Sequence, residues 1–368
     1  MEFKTVKFAK TKRDDFGAVL NKRVRAYFKD NNISRHANVT MVIKTIVVFA
    51  LYLVPYVVML TGGFTSFWPV LGLWVIMALG MGGIGFSVMH DANHGAYSKH
   101  AWVNKLLSHS LDILGGSPIN WQVQHNVLHH SFTNIPGMDE DIAPPTKKLL
   151  RFSPYEPRTK LQKYQHLYAW FFYGLMTFTW ITSKDFRQTS RFSRMGLIKN
   201  RSIPRLVFFQ VIAKILYYFF FLGLPIMLVD IPWWQTVLGF VTMHFLAGVV
   251  LGIVFQPAHV VPETEFPVAK DGAIENELAV HQLLTTADFA PRNKLLGWYV
   301  GGLNYQVEHH LFPDICHIHY PQLAKIVKQT AEEFGLPYHC QDTFGEALRK
   351  HAQMLKKLGN EDLNWSVN

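Results

Sequence analysis

With 368 residues, the chain has room for two soluble domains or for one polytopic membrane domain. Phe, Trp and Tyr supply 14% of it and charged residues only 17%, which is thin for a soluble protein of this length. A formal net charge of +10 without a nucleic-acid motif reads as membrane orientation, with no nucleic-acid partner, while two cysteines (Cys316 and Cys340) with no Cys-x-x-Cys pair indicate neither a thiolate zinc site nor a disulfide framework.

Residues 1–39 are polar and basic, with ten Lys/Arg against four acids. The opening Met1-Glu-Phe-Lys lacks the apolar run and small-residue cleavage site of a signal peptide. Arg25–Lys29 suits a short helix, lying on a membrane surface or standing as a solvated arm. Thr45–Leu60 is nearly charge-free, with Lys44 able to snorkel at its start. Phe67–Met89 runs 23 residues without a charge and stops at His90. Leu206–Val229 and Trp233–Phe255 form a second apolar pair. Basic residues crowd into 1–44 and 99–205, while the links within the two pairs carry none. The positive-inside rule then puts both termini and segment 90–205 in the cytoplasm. An all-α integral membrane protein is expected, with four transmembrane helices in two hairpins and a cytoplasmic helical cap. As a single domain it divides into a basic arm (1–44), a first hairpin (45–89), a segment 90–205, a second hairpin (206–255) and a last segment 256–368.

Between the pairs, Leu106–Ile119 is too short to cross a bilayer. Leu167–Thr182 is aromatic and also short, so it is expected to lie at the interface rather than span. The basic stretch Asp185–Arg205 suits anionic lipid or a phosphate-bearing substrate head group. His244, near the middle of the fourth span, is expected to make a neutral interhelical hydrogen bond. Further on, Pro321–Glu333 reads as an amphipathic helix ended by Gly335. Thr343-Phe-Gly-Glu346 fits a capping box opening a last helix to about Leu358.

Three histidine clusters stand out: His90-Asp-Ala-Asn-His94, then His125, His129 and His130 within Trp121–Asn134, and Gln306-Val-Glu-His309-His310. On an α-helix His125 and His129 share a face and His130 points roughly 100° away. One such pair is ordinary, but three in a membrane-like chain, all at one face by the parity of the spans, indicate metal. Imidazole nitrogen favours Fe, Zn, Cu or Ni over Mg or Ca. The seven cluster histidines, with His259 four residues past the fourth span as an eighth, are too many for one octahedral ion, so two ions are expected. A structural zinc site would use four ligands, often with cysteine, and would be closed. Two histidine-rich ions beside a bilayer suggest a redox pair activating dioxygen, with an acyl chain as substrate. A non-enzymatic histidine-rich membrane metal protein is the alternative from another class.

The clusters resemble the three histidine boxes of membrane fatty acid desaturases, and the resemblance runs over nearly the whole chain. It is closest to the front-end (delta-6-like) group, in which glutamine opens the third box, and especially to cyanobacterial acyl-lipid enzymes without a cytochrome b5 domain. Gly302-Leu-Asn-Tyr-Gln-Val-Glu-His-His-Leu-Phe-Pro313 and Cys316-His-Ile-His-Tyr-Pro-Gln322 carry it further. The resemblance implies two non-haem Fe ions, with O2 as co-substrate. Two hydrogens are removed from neighbouring methylenes of an acyl-lipid or acyl-CoA, leaving a cis double bond. A fatty acid hydroxylase or alkane monooxygenase uses similar boxes. No His-Pro-Gly-Gly haem motif occurs, so electrons are expected from an external ferredoxin or cytochrome b5 with its reductase. A bacterial inner membrane is expected ahead of the endoplasmic reticulum. The resemblance and the depth of its span end both favour His259 over His281 as the eighth ligand, leaving His281 to support or pack. Gln306 is a weak oxygen donor or a hydrogen-bonding stand-in. Asp91, Asp139 and Glu308 are candidates to orient ligating rings, Asp139 and Asp141 being equally readable as solvated loop acids. Trp102, Trp121 and Trp298 are candidates for a substrate tunnel wall, or interfacial anchors.

Overall fold

The protein is described by a computed structural model covering residues 5–142, 149–199 and 201–361. The described residues fall into two compact units, one built from 38–123, 170–199 and 201–252 and the other from 5–37, 124–142, 149–169 and 253–361.

Four helices are long and apolar enough to cross a membrane: Val39–Thr61, Phe67–Asn93, Ile203–Leu228 and Trp233–Ala258. The first starts six residues earlier than hydropathy alone suggests. Asn38 caps it, its side chain accepting from the Met41 N–H at 3.2 Å. Lys44, expected to snorkel, is buried at 3% exposure. The first two helices pack backbone to backbone at Gly80, where an added Cβ would lie 2.5 Å from the Tyr52 nitrogen. Small residues allow such close approach where lipid supplies no hydrophobic drive. Aromatic rings close the other contacts: Tyr52 on Phe221, Trp74 on Phe240, and Tyr217 on Phe240. The Tyr217 hydroxyl lies 2.7 Å from His244 Nε2, the interhelical hydrogen bond expected of that histidine.

The second of these helices does not end at the last apolar residue. It passes through a π-turn at Ile84–Met89 and continues as His90–Asn93, which places the first box on a rigid extension. Leu106–Ile119 forms only short helical pieces, parts of Ala101–Ser108, Ser110–Ile113 and Pro118–Gln122. They are anchored by a buried polar network. Lys214 Nζ donates to the Gly115 and Trp180 carbonyls (2.6 and 2.5 Å) and pairs with Asp185 Oδ2 at 2.5 Å. Asn120, Thr189, Gln210 and Ser117 extend the network. Instead of one interfacial helix over 167–182, the chain makes Gln165–Gly174, Met176–Thr179 and a π-turn at Trp180–Lys184. Asp185–Arg194 then buries Asp185, Gln188, Thr189 and Phe192 and exposes Arg187, Arg191 and Arg194.

In the other unit, Phe16–Asp30 lays Phe16, Leu20 and Val24 into a core with Leu323, Val327 and Ala331 of the helix Tyr320–Glu333. Arg23 braces the pair through Glu333 at 2.6 Å. Gly335, at φ +64, ends the second helix as expected. Thr343 caps the last helix, Phe344–Asn360, by accepting from the Glu346 N–H. Glu346 itself takes the Asp342 N–H rather than that of Thr343, so only half of the reciprocal box forms. The unit is mostly helical, as the fold class leads one to expect, with short extended segments between its helices. Two-residue parallel ladders join Lys7–Phe8 to Ala273–Ile274 and Asp288–Phe289 to Cys340–Gln341. The second is wholly buried on its Asp288–Phe289 side, where backbone groups cut off from water need partners.

Candidate metal centre

The second box lies on a π-turn, Val123–His129, rather than on an α-helix. The His130 N–H bonds the His125 carbonyl at 2.9 Å, the i to i+5 closure of such a turn. In an α-helix, residues five apart point about 140° from one another. The wider π-turn brings them to within roughly 50°. All three rings therefore gather, with centroids 5.1 Å apart for His125 and His129 and 4.8 Å for His125 and His130. Hydropathy and i,i+4 spacing carry no signal for this turn, so the divergence assigned to His130 from α-helical geometry is overturned.

The third box lies on the short helix Gln306–Leu311, with every residue from Gln306 to His310 buried. With the second box and His259 it makes two groups of imidazoles inside one unit. In the first, ligand atoms of His129, His259 and His310 all lie within 4.8 Å of one another. In the second, His130 Nε2 is 2.9 Å from His309 Nε2 and 3.3 Å from His125 Nε2. Nitrogens about 2.1 Å from one ion and at right angles about it would be roughly 3 Å apart, so this convergence has the scale of a shared coordination sphere.

The outer nitrogens have their own partners. His129 Nδ1 bonds Asp139 Oδ2 (2.9 Å), His125 Nδ1 bonds Asp141 Oδ2 (2.8 Å), and His259 Nδ1 faces the Thr285 carbonyl (3.3 Å). His310 Nδ1 meets Gln282 Oε1 (3.0 Å) and His309 Nδ1 meets the Tyr320 hydroxyl (3.2 Å). With Nδ1 so occupied, Nε2 of His129 and of His259 are buried without a hydrogen-bond partner among the described residues. Buried lone pairs left this way are costly unless something fills them, and a metal ion held on such rings is what they fit. Burial and the neighbouring His129 hold His259 well below the usual imidazole range, hence neutral and able to ligate. Burial also disfavours charge on His129, but the charge and hydrogen bond of Asp139 outweigh it and raise that ring.

The remaining candidates are placed as follows. His90 and His94 have ring centroids 4.8 Å apart, with Trp121 edge-on to both at 5.6 and 5.7 Å. Asp91 lies 4.0 Å from His90 Nδ1. Gln306 is 1% exposed, its Oε1 without a hydrogen-bond partner among the described residues. His281 stands outside both imidazole groups, its Nε2 2.9 Å from the Thr133 carbonyl. Burial brings it to about 4. Glu308 takes its hydrogen bond from the Tyr338 hydroxyl, which also donates to Asp288. Burial and the charge of Asp288 push Glu308 well above the carboxylate range, while burial lifts Asp288 to about 6. The Asp288 carboxylate also accepts from the Val307 N–H (2.9 Å), so this trio clamps the third-box helix. Trp102 is 68% exposed and Trp298 is half-buried on Lys294–Tyr299.

Thr133, Gln282 and Tyr320 had no signal in the sequence as supports of the rings. Asn134 did, because asparagine tolerates the left-handed region it adopts at φ +58. From there its side chain donates to the His259 and Glu265 carbonyls at 3.0 and 2.9 Å, and its N–H meets Asp139.

A sequence profile described as fatty acid desaturase matches residues 66–342, three quarters of the chain. The chain belongs to the fatty acid desaturase family. It is 37% identical to an sn-1 linoleoyl-lipid 6-desaturase of Arthrospira platensis over 93% of this chain and 92% of that protein. Against an enzyme of the same name from Synechocystis it is 34% identical, over 95% and 97%. An acyl-lipid (8-3)-desaturase of Physcomitrium patens is 36% identical over 96% of this chain and 74% of its own length. The chain is thus a fatty acyl desaturase, an oxidoreductase of a family that generally uses a di-iron centre. Its four apolar helices suit an integral membrane desaturase acting on fatty acyl substrates.

Proposed function

We propose that this desaturase places a cis double bond near the carboxyl end of an acyl chain carried on a glycerolipid, at the position named for its cyanobacterial relatives. Two non-haem irons held by His90, His94, His125, His129, His130, His259, His309 and His310 serve the reaction. The observation that carries the reading is the pair of buried imidazole groups in one unit, with Nε2 of His129 and of His259 left without a hydrogen bond among the described residues. Gln306 stands near them as a hydrogen-bonding group, and His281 packs behind.

When bound, the irons supply the oxidising power to break two unactivated C–H bonds. The balance is R–CH2–CH2–R′ plus O2, two electrons and two protons, giving R–CH=CH–R′ and two waters. The protein's residues hold the geometry for this. Asp139 and Asp141 each accept a proton-bearing Nδ1 and so fix the tautomer that turns Nε2 inward. The Thr285 carbonyl does the same for His259, and Gln282 and Tyr320 support His310 and His309. His129 and His259 are fully buried, which keeps bulk water from these nitrogens. Trp121, edge-on to the first-box pair, is the aromatic best placed to confine an acyl chain, with Trp102 and Trp298 as outer wall or anchors.

The arrangement in the membrane is proposed as two helical hairpins with both termini and the histidines on the cytoplasmic side, in a bacterial inner membrane. Support comes from the lysines and arginines gathered in 1–44 and 99–205. The chain is read as one desaturase domain, and its electrons as coming from a ferredoxin or a cytochrome b5 with its reductase.

Expression in a host poor in desaturases, with fatty acids profiled by mass spectrometry and double bonds located by derivatisation, tests this. The expected product is an acid with a new cis bond at carbon six, absent from the His129→Ala strain. Hydroxylated acids, or an unchanged profile with oxygen, donor and membrane-inserted iron-loaded protein present, would reject it.

A further inference from the structure

The unit that holds the second and third boxes also contains a cavity of about 700 Å3 that none of the histidines named above lines. Its floor is apolar: Val24, Phe312 and Ile315 are each buried to 6% exposure or less. Its rim is cationic, with Arg25 and Lys29 from Phe16–Asp30 and Arg35 from the turn that follows. The single carboxylate on the rim, Asp314, is already paired with Arg35 at 2.5 Å. Arg25 and Lys29 are exposed and have no carboxylate partner among the described residues. They are four residues apart on one helix face, where like charges repel and cost the helix a few tenths of a kcal/mol. An anion seated between them would reverse the sign of that interaction.

The walls are fixed. The Cys316 N–H donates to the Arg35 carbonyl at 2.9 Å, and Phe28 packs edge-on to His319. The volume falls in the range of small-molecule sites, roughly 300–1,000 Å3. It is far more than a bare phosphate needs, and a concave apolar floor is wasted on a flat protein partner. By chain position the cavity joins two functional places. Phe312 follows the third-box His310 by two residues, and Arg35 precedes the first apolar helix by four. An occupant with a charged head and a greasy body, delivered from a lipid surface, matches all of these features.

We propose that this cavity seats the anionic head group of the substrate phospholipid, phosphate on Arg25 and Lys29 and glycerol carbons on the Val24–Phe312–Ile315 floor. The assignment to substrate rests on the glycerolipid-desaturase reading above. Held there, the head group would set how far along the acyl chain the metal centre reaches.

The test compares the full chain, purified in uncharged detergent, with an Arg25→Gln/Lys29→Gln double variant. Probes are dihexanoyl phosphatidylglycerol, dihexanoyl phosphatidylcholine and inorganic phosphate, with binding read by calorimetry. Phosphatidylglycerol is expected to bind the parent protein, to weaken about tenfold or more in the variant, and to weaken with added salt. In mixed nanodiscs with equal iron content, the ratio of desaturated phosphatidylglycerol to desaturated phosphatidylcholine is expected to fall at least about fivefold in the variant. Equal phosphatidylglycerol binding by the two proteins overturns the proposal. Inorganic phosphate binding as tightly as the lipid, and lost equally, overturns it in favour of a free-phosphate site. A raised KM for the electron donor with the lipid ratio unchanged overturns it in favour of a protein-docking face. Charge-dependent lipid binding in a protein that makes no double bond would uphold the head-group site while refuting the desaturase reading.

Discussion

Asp139 Oδ2 takes both His129 Nδ1 and the Asn134 N–H, so one carboxylate sets a ring and the left-handed turn after it. Asn134 in turn reaches the His259 carbonyl, which ties the second box to the histidine outside the boxes. This chain of contacts makes His259 and Asp139 sensitive and His281 tolerant. At matched expression, Asp139→Asn is expected to lower metal affinity about 10- to 100-fold, the usual effect of losing a ligand's support, and His259→Ala, which removes a proposed ligand, at least as much. His281→Ala is expected to keep its iron and to lose stability only, through its bond to Thr133 and its contact with Phe8. Iron retained by the first two and lost from the third would reverse the roles. Residue identities at the boxes were legible because seven imidazoles cluster in three short stretches. What no spacing rule carries is the π-turn that brings His130 beside His125, or that Glu308 faces Tyr338 and Asp288.

The apolar helices were legible as elements from uncharged length alone, and their ends were not. Hydropathy drops at Lys44 and at Arg205, yet the helices begin at Val39, where Asn38 caps the first turn and Lys44 is buried, and at Ile203, where Pro204 lies in the first turn. Segment 167–182 is divided at Leu175 and again at Trp180. Lys214 donates to the Trp180 carbonyl at 2.5 Å, where the π-turn starts. Packing between helices rests on points that composition does not mark. Gly80 touches the backbone of Leu51 and Tyr52, whereas Gly72 on the same helix has open space. Gly80→Val is therefore expected to cost about 1–3 kcal/mol or to prevent folding. Gly72→Val should stay within about 0.5 kcal/mol of the parent. Thermal unfolding in detergent distinguishes them, and equal midpoints would contradict the close crossing.

At the scale of the molecule, the histidines set a direction for pH. Burial holds His281 and His351 near 4 and His259 lower still, while unfolded histidines titrate near 6.5. Below 6.5 the unfolded chain takes up protons that the folded chain refuses. The contribution of these rings to stability is therefore whole above pH 6.5 and lost as pH falls toward 4, by up to about 3 kcal/mol each for His281 and His351. Metal release on protonation of its ligands acts in the same direction. Asp288, Glu308 and His129, all raised, act in the opposite direction. The test is therefore a difference: the unfolding midpoint of His351→Gln should fall less between pH 7.5 and pH 5 than that of the parent, and an equal fall would contradict it. The class of the protein and its chemistry were legible from four apolar runs and three boxes, but the separate unit that gathers the second box, the third box and His259 was not, because its contacts join residues more than a hundred positions apart. The central claim is that these histidines hold two irons. Metal analysis with Mössbauer spectroscopy on protein produced in iron-replete cells, with zinc counted beside iron, tests it most directly. Two irons per chain, in histidine-rich non-haem environments and lost together in His129→Ala, is the expected result. An active protein carrying one closed zinc and no iron would contradict it.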